Sequence, residues 1–221
     1  MELGEAVVTR RSVRGFVRRP VPREVLERLF ARAQRAPSWC NIQPWRVWMV
    51  TGPARERLVE ALGDAARSGV APHPELGFPP EYREPYGTHR KECGKALYQA
   101  MGIERHDTAA RWDAWLRNFE AFGAPHVAMV GIDRSFGAYA ALDVGCWLQT
   151  LLLLLTEEGI ATCPQASLAA FPDVVRRVLP IPDEITLLFG IALGYEDAEV
   201  PANRCRTTRS DLAHNVTFVE G

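Results

Sequence analysis

Residues 138–158 constrain this chain more than any other stretch. Ala141, Val144, Trp147, Leu148, Leu151, Leu152 and Leu155 recur at helical spacing and together cover most of the helix circumference. Such a helix needs cover on most sides. In a chain of 221 residues, its own sheet covers one side and a second copy of the chain is the natural cover for another. The apolar run at 151–155 follows Asp143 and Gln149 and precedes Glu157 and Glu158, so it is too short to span a bilayer. Around this helix, residues 45–51, 126–132 and 185–193 read as strands, the last apolar without alternation and so buried on both faces. Residues 3–9, 21–36, 53–67, 90–101, 107–122 and 171–179 carry helical signals. That order predicts an α+β fold with a central sheet of about four or five strands flanked by helices. Residues 216–219 offer a further edge strand.

Two stretches interrupt the pattern. Pro72, Pro74, Pro79, Pro80 and Pro85 fall within residues 69–87, which therefore read as an exposed excursion, either a lid or an arm across a partner. Residues 159–167 are polar and punctuated by Pro164, so a loop is expected there. The simplest organisation is one domain over residues 1–221, with an excursion at 69–125 and a C-terminal arm at 195–221. Within the excursion Trp112, Trp115, Leu116, Phe119 and Phe122 form a helical stripe, mostly core, with Phe119 and Phe122 expected to face a pocket.

Composition removes several function classes. With 26 Lys+Arg against 27 Asp+Glu, no net field attracts nucleic acid or an anionic membrane, and neither partner is expected. Five cysteines, scattered and without a C-x-x-C pair, read as reduced thiols in a cytoplasmic protein rather than as disulfides or a zinc site. The first residues lack the basic and apolar regions of a signal peptide. Cys40 shares no motif with a histidine and G-x-S-x-G is absent, which argues against a hydrolase. A Walker loop and a G-x-G-x-x-G turn are also missing.

Positive charge is instead local. Arg10, Arg11, Ser12 and Arg14 crowd into five residues, and guanidinium forks with a hydroxyl suit one dianionic phosphate. A second basic, hydroxyl-rich segment at 203–210 contains Arg206 and Arg209. Between a predicted helix and strand, Pro37, Ser38, Trp39, Cys40, Asn41, Ile42, Gln43 and Pro44 form an amide-rich structured loop of the kind that often holds ligands.

R-R-S-V-R-G-F at 10–16, A-P-S-W-C-N-I-Q-P-W at 36–45, G-I-A-T-C-P-Q at 159–165 and the segment ending at Arg209 resemble the FMN-dependent nitroreductase superfamily over nearly the whole chain. The resemblance implies a central mixed β-sheet flanked by helices, in an intertwined homodimer. It implies that Arg10, Arg11, Ser12 and Arg14 hold the FMN phosphate and ribityl chain, with Arg209 and Arg206 closing on the phosphate. Pro37, Ser38, Trp39, Asn41 and Gln43 would reach the flavin from the other subunit. Pro164, Gln165 and Ala166 would face the ring, with a backbone N–H near Gln165 donating to N5 and no side chain acting as a catalytic acid or base. Trp39 and Cys40 depart from the small residues common there, and an indole narrows the pocket. The implied reaction passes hydride from NADH or NADPH through flavin N5 to a small electron-poor acceptor such as a nitroaromatic or quinone. Relatives with these motifs include a reductive dehalogenase and a flavin-fragmenting enzyme, and a flavin-binding protein without turnover is a further alternative.

Overall fold

The computed structural model describes residues 1–220. Its helices are α1 (Leu3–Thr9), α2 (Arg23–Ala33), α3 (Gly52–Arg67), α4 (Tyr86–Ala100), α5 (Thr108–Leu116), α6 (Ala138–Glu157) and α7 (Pro172–Val178). Its strands are β1 (Arg46–Thr51), β2 (His126–Asp133), β3 (Ala161–Gln165) and β4 (Ile185–Gly194). They form one sheet in the order β1-β2-β4-β3, with every neighbouring pair antiparallel. A mixed sheet is expected from the sequence, and the topology explains the difference. β2 and β3 run the same way on either side of α6, as in a parallel crossover, but β4 is inserted between them. Parallel pairing survives only as an isolated bridge between Ser12 and Thr162 among the described residues.

Alternation along β2 sends Ala128, Val130 and Ile132 to one face and Val127 and Met129 to the other. On the first face α6 packs through Trp147, Leu151 and Leu155, joined by Leu29 and Ala33 of α2. On the second lie Leu58 and Leu62 of α3, Phe119, Phe171 and Val175. The pairing shifts between Val130 and Gly131, so Leu188 is the extra residue of a bulge. Gly131 is needed there, because a Cβ would sit 2.5 Å from Ile185 Cγ2 and 2.7 Å from the Thr186 carbonyl.

The proline-rich excursion lacks helix and strand from residue 69 to 85, yet it is pinned at His73, whose N–H donates to the Ala170 carbonyl at 2.9 Å, and at Glu75. The Glu75 carboxylate accepts the Leu187 N–H of the bulge at 2.8 Å, Arg176 at 2.9 Å and Arg134 at 2.6 Å. Burial pushes that carboxyl up, but the three donors outweigh it and hold Glu75 below its ordinary range.

Three expectations need correction. Residues 161–165 are a strand, because Val13 N–H donates to the Thr162 carbonyl at 2.9 Å while β4 holds the other side. Thr162 and Pro164 therefore face the outer edge, where a proline forfeits no ladder bond. Phe119 does not face a pocket: its ring packs between Trp115 and Phe171, with centroids 4.8 and 5.6 Å away. Phe122 is buried too, though it lines a cavity of about 80 Å³ beside Arg14. Residues 216–219 form no strand within this chain, and Phe218 and Val219 stand exposed.

Candidate active site

The two basic segments, remote in sequence, are brought together by backbone pairing. After α1 the chain runs extended past β3 and then past residues 195–197: Val13 bonds Thr162, Val17 N–H donates to the Tyr195 carbonyl at 3.0 Å, and Asp197 N–H donates to the Gly15 carbonyl at 3.0 Å. A Cβ on Gly15 would lie 2.5 Å from Val200 Cβ, so only glycine permits this approach. Asn203, buried, completes the junction. Its oxygen accepts the Arg14 N–H at 2.6 Å, and its amide donates to the Gly15 and Asp197 carbonyls at 2.9 and 2.8 Å.

Arg10, Arg11, Ser12 and Arg14 consequently line one cavity of about 740 Å³ with Arg206 and Arg209. Arg11 is paired with Glu196. Arg10, Arg14, Arg206 and Arg209 have no carboxylate partner among the described residues. Their recorded bonds are to neutral oxygens: Arg14 to the Ser12 carbonyl at 3.3 Å, Arg206 to that of Asn203 at 2.8 Å, Arg209 to that of Thr208 at 2.8 Å. A buried Arg11 Nε also lacks a partner. Guanidinium groups gathered without countercharge form a donor set for a doubly charged anion, and a phosphate ester fits it.

β3 runs beside this cluster. The Cys163 thiol, pushed up to about 11 by burial against the opposing pull of Arg14 and Ser12, stays neutral and is no nucleophile at neutral pH. Gln165 donates to the Asn118 carbonyl at 2.9 Å, which leaves its buried Oε1 without a partner. Because Thr162 and Pro164 face the outer edge, strand alternation returns the Ala166 N–H to that edge.

The amide loop does not join the cavity of its own chain. Pro37, Ser38, Trp39, Asn41 and Gln43 are all absent from its lining. Cys40, Asn41 and Gln43 take positive φ of 48°, 57° and 46°, a left-handed backbone that costs non-glycine residues energy and must be held. Ser38 Oγ accepts the Gln43 N–H at 3.0 Å, and Gln43 Nε2 donates to the Asn41 carbonyl at 2.9 Å. Asp143 of α6, buried, accepts the Trp39 N–H at 3.1 Å. The Trp39 ring then projects outward, edge-on to Tyr139 at 4.8 Å and 58% exposed. A larger groove of about 1130 Å³ along β1 takes in Gln43 but none of the clustered arginines at 10–14 and 206–209.

Asn203, Asp143 and Glu196 are the positioning groups that motif reading passes over. The available signal is modest: a polar residue in an apolar helix for Asp143, an amide opening a basic segment for Asn203.

Comparison with known proteins agrees with this geometry. The model of the family described as "Nitroreductase family" matches residues 7–195. A 4-nitrobenzoate reductase from Nocardioides sp. (strain LMS-CY) is 35% identical over 224 residues, covering 99% of this chain and 91% of that protein. The crystal structure of the FMN and NADPH-dependent nitroreductase NfnB from Sphigopyxis sp. strain HMH superposes with a TM-score of 0.96 at 37% identity, over 100% of each chain. The FMN-dependent nitroreductase NfnB from Mycobacterium smegmatis, solved with NADPH, gives 0.93 at 35% identity, covering 99% of this chain and 100% of that one. With matches this extensive, and the arginine-lined cavity in the region they share, this chain belongs to the nitroreductase family.

Proposed function

We propose that this protein is an FMN-dependent oxidoreductase that transfers hydride from NADPH or NADH to a small electron-poor acceptor, a nitroaromatic or a quinone. The observation that carries the reading is the convergence of Arg10, Arg14, Arg206 and Arg209, free of carboxylates, on one cavity. When bound, FMN supplies a ring that takes hydride from the nicotinamide and hands it to the acceptor in a second half-reaction. The chain's own residues bind and orient it. Arg10, Arg11, Ser12 and Arg14 hold the phosphate and ribityl chain, and Arg206 and Arg209 close on the phosphate. The edge of β3 at Pro164, Gln165 and Ala166 lies against the ring and offers a backbone N–H. No side-chain acid or base is required.

The site is completed in a homodimer. Leu142 and Tyr139 of α6 and Leu3, Val7 and Val8 of α1 stand exposed, and α1 packs on α6. Val7 and Val8 also line the arginine cavity, so a second copy seated on this apolar face covers the cavity mouth. Its Pro37, Ser38, Trp39, Asn41 and Gln43, held outward by Asp143, are the residues that reach in. The excursion at 69–125 shapes the acceptor pocket of a single domain whose C-terminal arm starts at 195. Five free cysteines support a cytoplasmic location.

Purified protein should be yellow, release FMN on heating, and oxidise NADPH steadily when 4-nitrobenzoate or a quinone is present. Colourless protein that takes up no FMN removes the cofactor assignment, and bound FMN without turnover on any acceptor leaves a binding protein.

A further inference from the structure

Besides its cations, the arginine cavity is lined by two thiols that the binding roles above leave unused. Cys93 lies on α4, and Cys205 follows the short turn Pro201–Arg204 that opens the basic arm. Helical spacing puts Cys93 on the side of α4 that the arm follows. His89, Cys93, Leu97 and Met101 recur every four residues and share one side of α4. At one end of this stripe His89 Nε2 lies 3.4 Å from Ser210 Oγ. At the other, Leu97 and Met101 line the small cavity with Ala202. The arm therefore runs along the stripe from Ala202 to Ser210, and between these two ends Cys93 and Cys205 line the same cavity. Both thiols are free, with Cys93 exposed and Cys205 half-buried. Burial pushes the Cys205 thiol up, Arg14 and Arg206 pull it down, and the neighbouring Cys93 adds to the rise.

We propose that Cys93 and Cys205 form a reversible disulfide that latches the basic arm onto α4 and closes the cavity carrying Arg206 and Arg209. The oxidant is hydrogen peroxide, which a reduced flavin produces with dioxygen. The exposed Cys93 thiol takes one oxygen atom from peroxide to become a sulfenic acid, and one water is released. Cys205 then attacks the Cys93 sulfur: the S–O bond breaks, the S–S bond forms, and the hydroxide leaves with the Cys205 proton as a second water. Two thiols have lost two electrons to one peroxide. Any dithiol reductant reverses the step.

The thiol pair rests on its own placement, and its effect on the cofactor rests on the FMN reading above. The test treats the purified holoprotein with hydrogen peroxide, alkylates it, digests it and analyses the peptides unreduced. A joined peptide pair through Cys93 and Cys205, with two of the five thiols lost and recovered by dithiothreitol, is the expected result. Separately alkylated or overoxidised peptides without a joined pair overturn the latch. Release of FMN should then be several-fold slower from oxidised wild type than from oxidised Cys205→Ser, which keeps every arginine. Equal release despite the joined peptide overturns closure of the cavity. Protein that carries no FMN defeats the cofactor reading alone, because the peptide analysis decides the thiol pair independently.

Discussion

The Asn203 side-chain oxygen accepts the Arg14 backbone N–H at 2.6 Å, a bond between residues 189 apart. It holds the first arginine cluster against the second, and the same side chain also satisfies the Gly15 and Asp197 carbonyls. Asn203→Ala strands the Arg14 N–H, whereas the Gly15 and Asp197 carbonyls keep the Asp197 and Val200 N–H groups. The expected loss is about 1–3 kcal/mol of stability, the cost of one unsatisfied backbone group. Thermal unfolding measures it, and FMN titration of the folded variant should show weakened binding as well. A variant as stable as wild type would mean that the junction is held elsewhere.

Arg14 and Arg209 contribute cations to the cavity and have no carboxylate partner among the described residues. Arg14→Ala or Arg209→Ala should fold and lose most of its flavin, because each charge-assisted bond contributes about 1.5–3 kcal/mol, roughly tenfold to a hundredfold in affinity. Flavin content by absorbance after purification is the readout. Full retention contradicts the phosphate assignment.

Sharing of the site between subunits has its own signature. In a mixed dimer with Arg14→Ala on one chain and Asn41→Ala on the other, one site keeps both groups if the loop acts across the interface. Two-tag purification should then yield close to half the wild-type flavin. Near-complete loss indicates that the loop serves its own chain.

Glu75 should govern acid stability. Its carboxyl is held below the ordinary value of 4.5 by the Leu187 N–H, Arg176 and Arg134 acting against burial, so its contribution is present above the unfolded value and lost as pH falls through the folded one. Glu75→Gln is expected to destabilise at neutral pH by about 1–3 kcal/mol, the worth of charge-assisted bonds at a part-buried site. The two melting temperatures should converge on acidification below about 4.5. A constant gap down to lower pH would assign the effect to packing.

His126 adds a second acid-sensitive contact. Its Nε2 accepts the Val21 N–H at 2.9 Å, and burial lowers its pKa from the ordinary 6.5. The unfolded chain therefore takes up this proton first, and stability declines as pH falls below 6.5 towards the folded value. His126→Phe leaves the Val21 N–H unpaired and should cost about 1–3 kcal/mol while removing that part of the pH slope. Denaturant unfolding across that pH range separates the two effects.

The core face of α6 was legible in residues 138–158: of the seven apolar side chains at helical spacing, Val144, Trp147, Leu151, Leu152 and Leu155 are buried, while Ala141 and Leu148 are half-buried. So was the chemistry of Arg10, Arg14, Arg206 and Arg209, since a guanidinium is a cationic fork wherever it lies. What tertiary structure alone decided is adjacency. Residues 161–165 read as a loop because Pro164 interrupts them, yet they are a strand because Val13, far away in sequence, bonds the edge that the proline leaves free. Phe119 continues a helical stripe on paper, but α5 ends at Leu116 and the chain turns through left-handed Ala121 and Phe122, placing that ring against Phe171. The roles of Asn203, Glu75 and Asp143 were at most faintly signalled for the same reason. A polar side chain acquires its function from the backbone groups it meets, and Arg14, Leu187 and Trp39, one partner of each, lie 104 to 189 residues away in sequence.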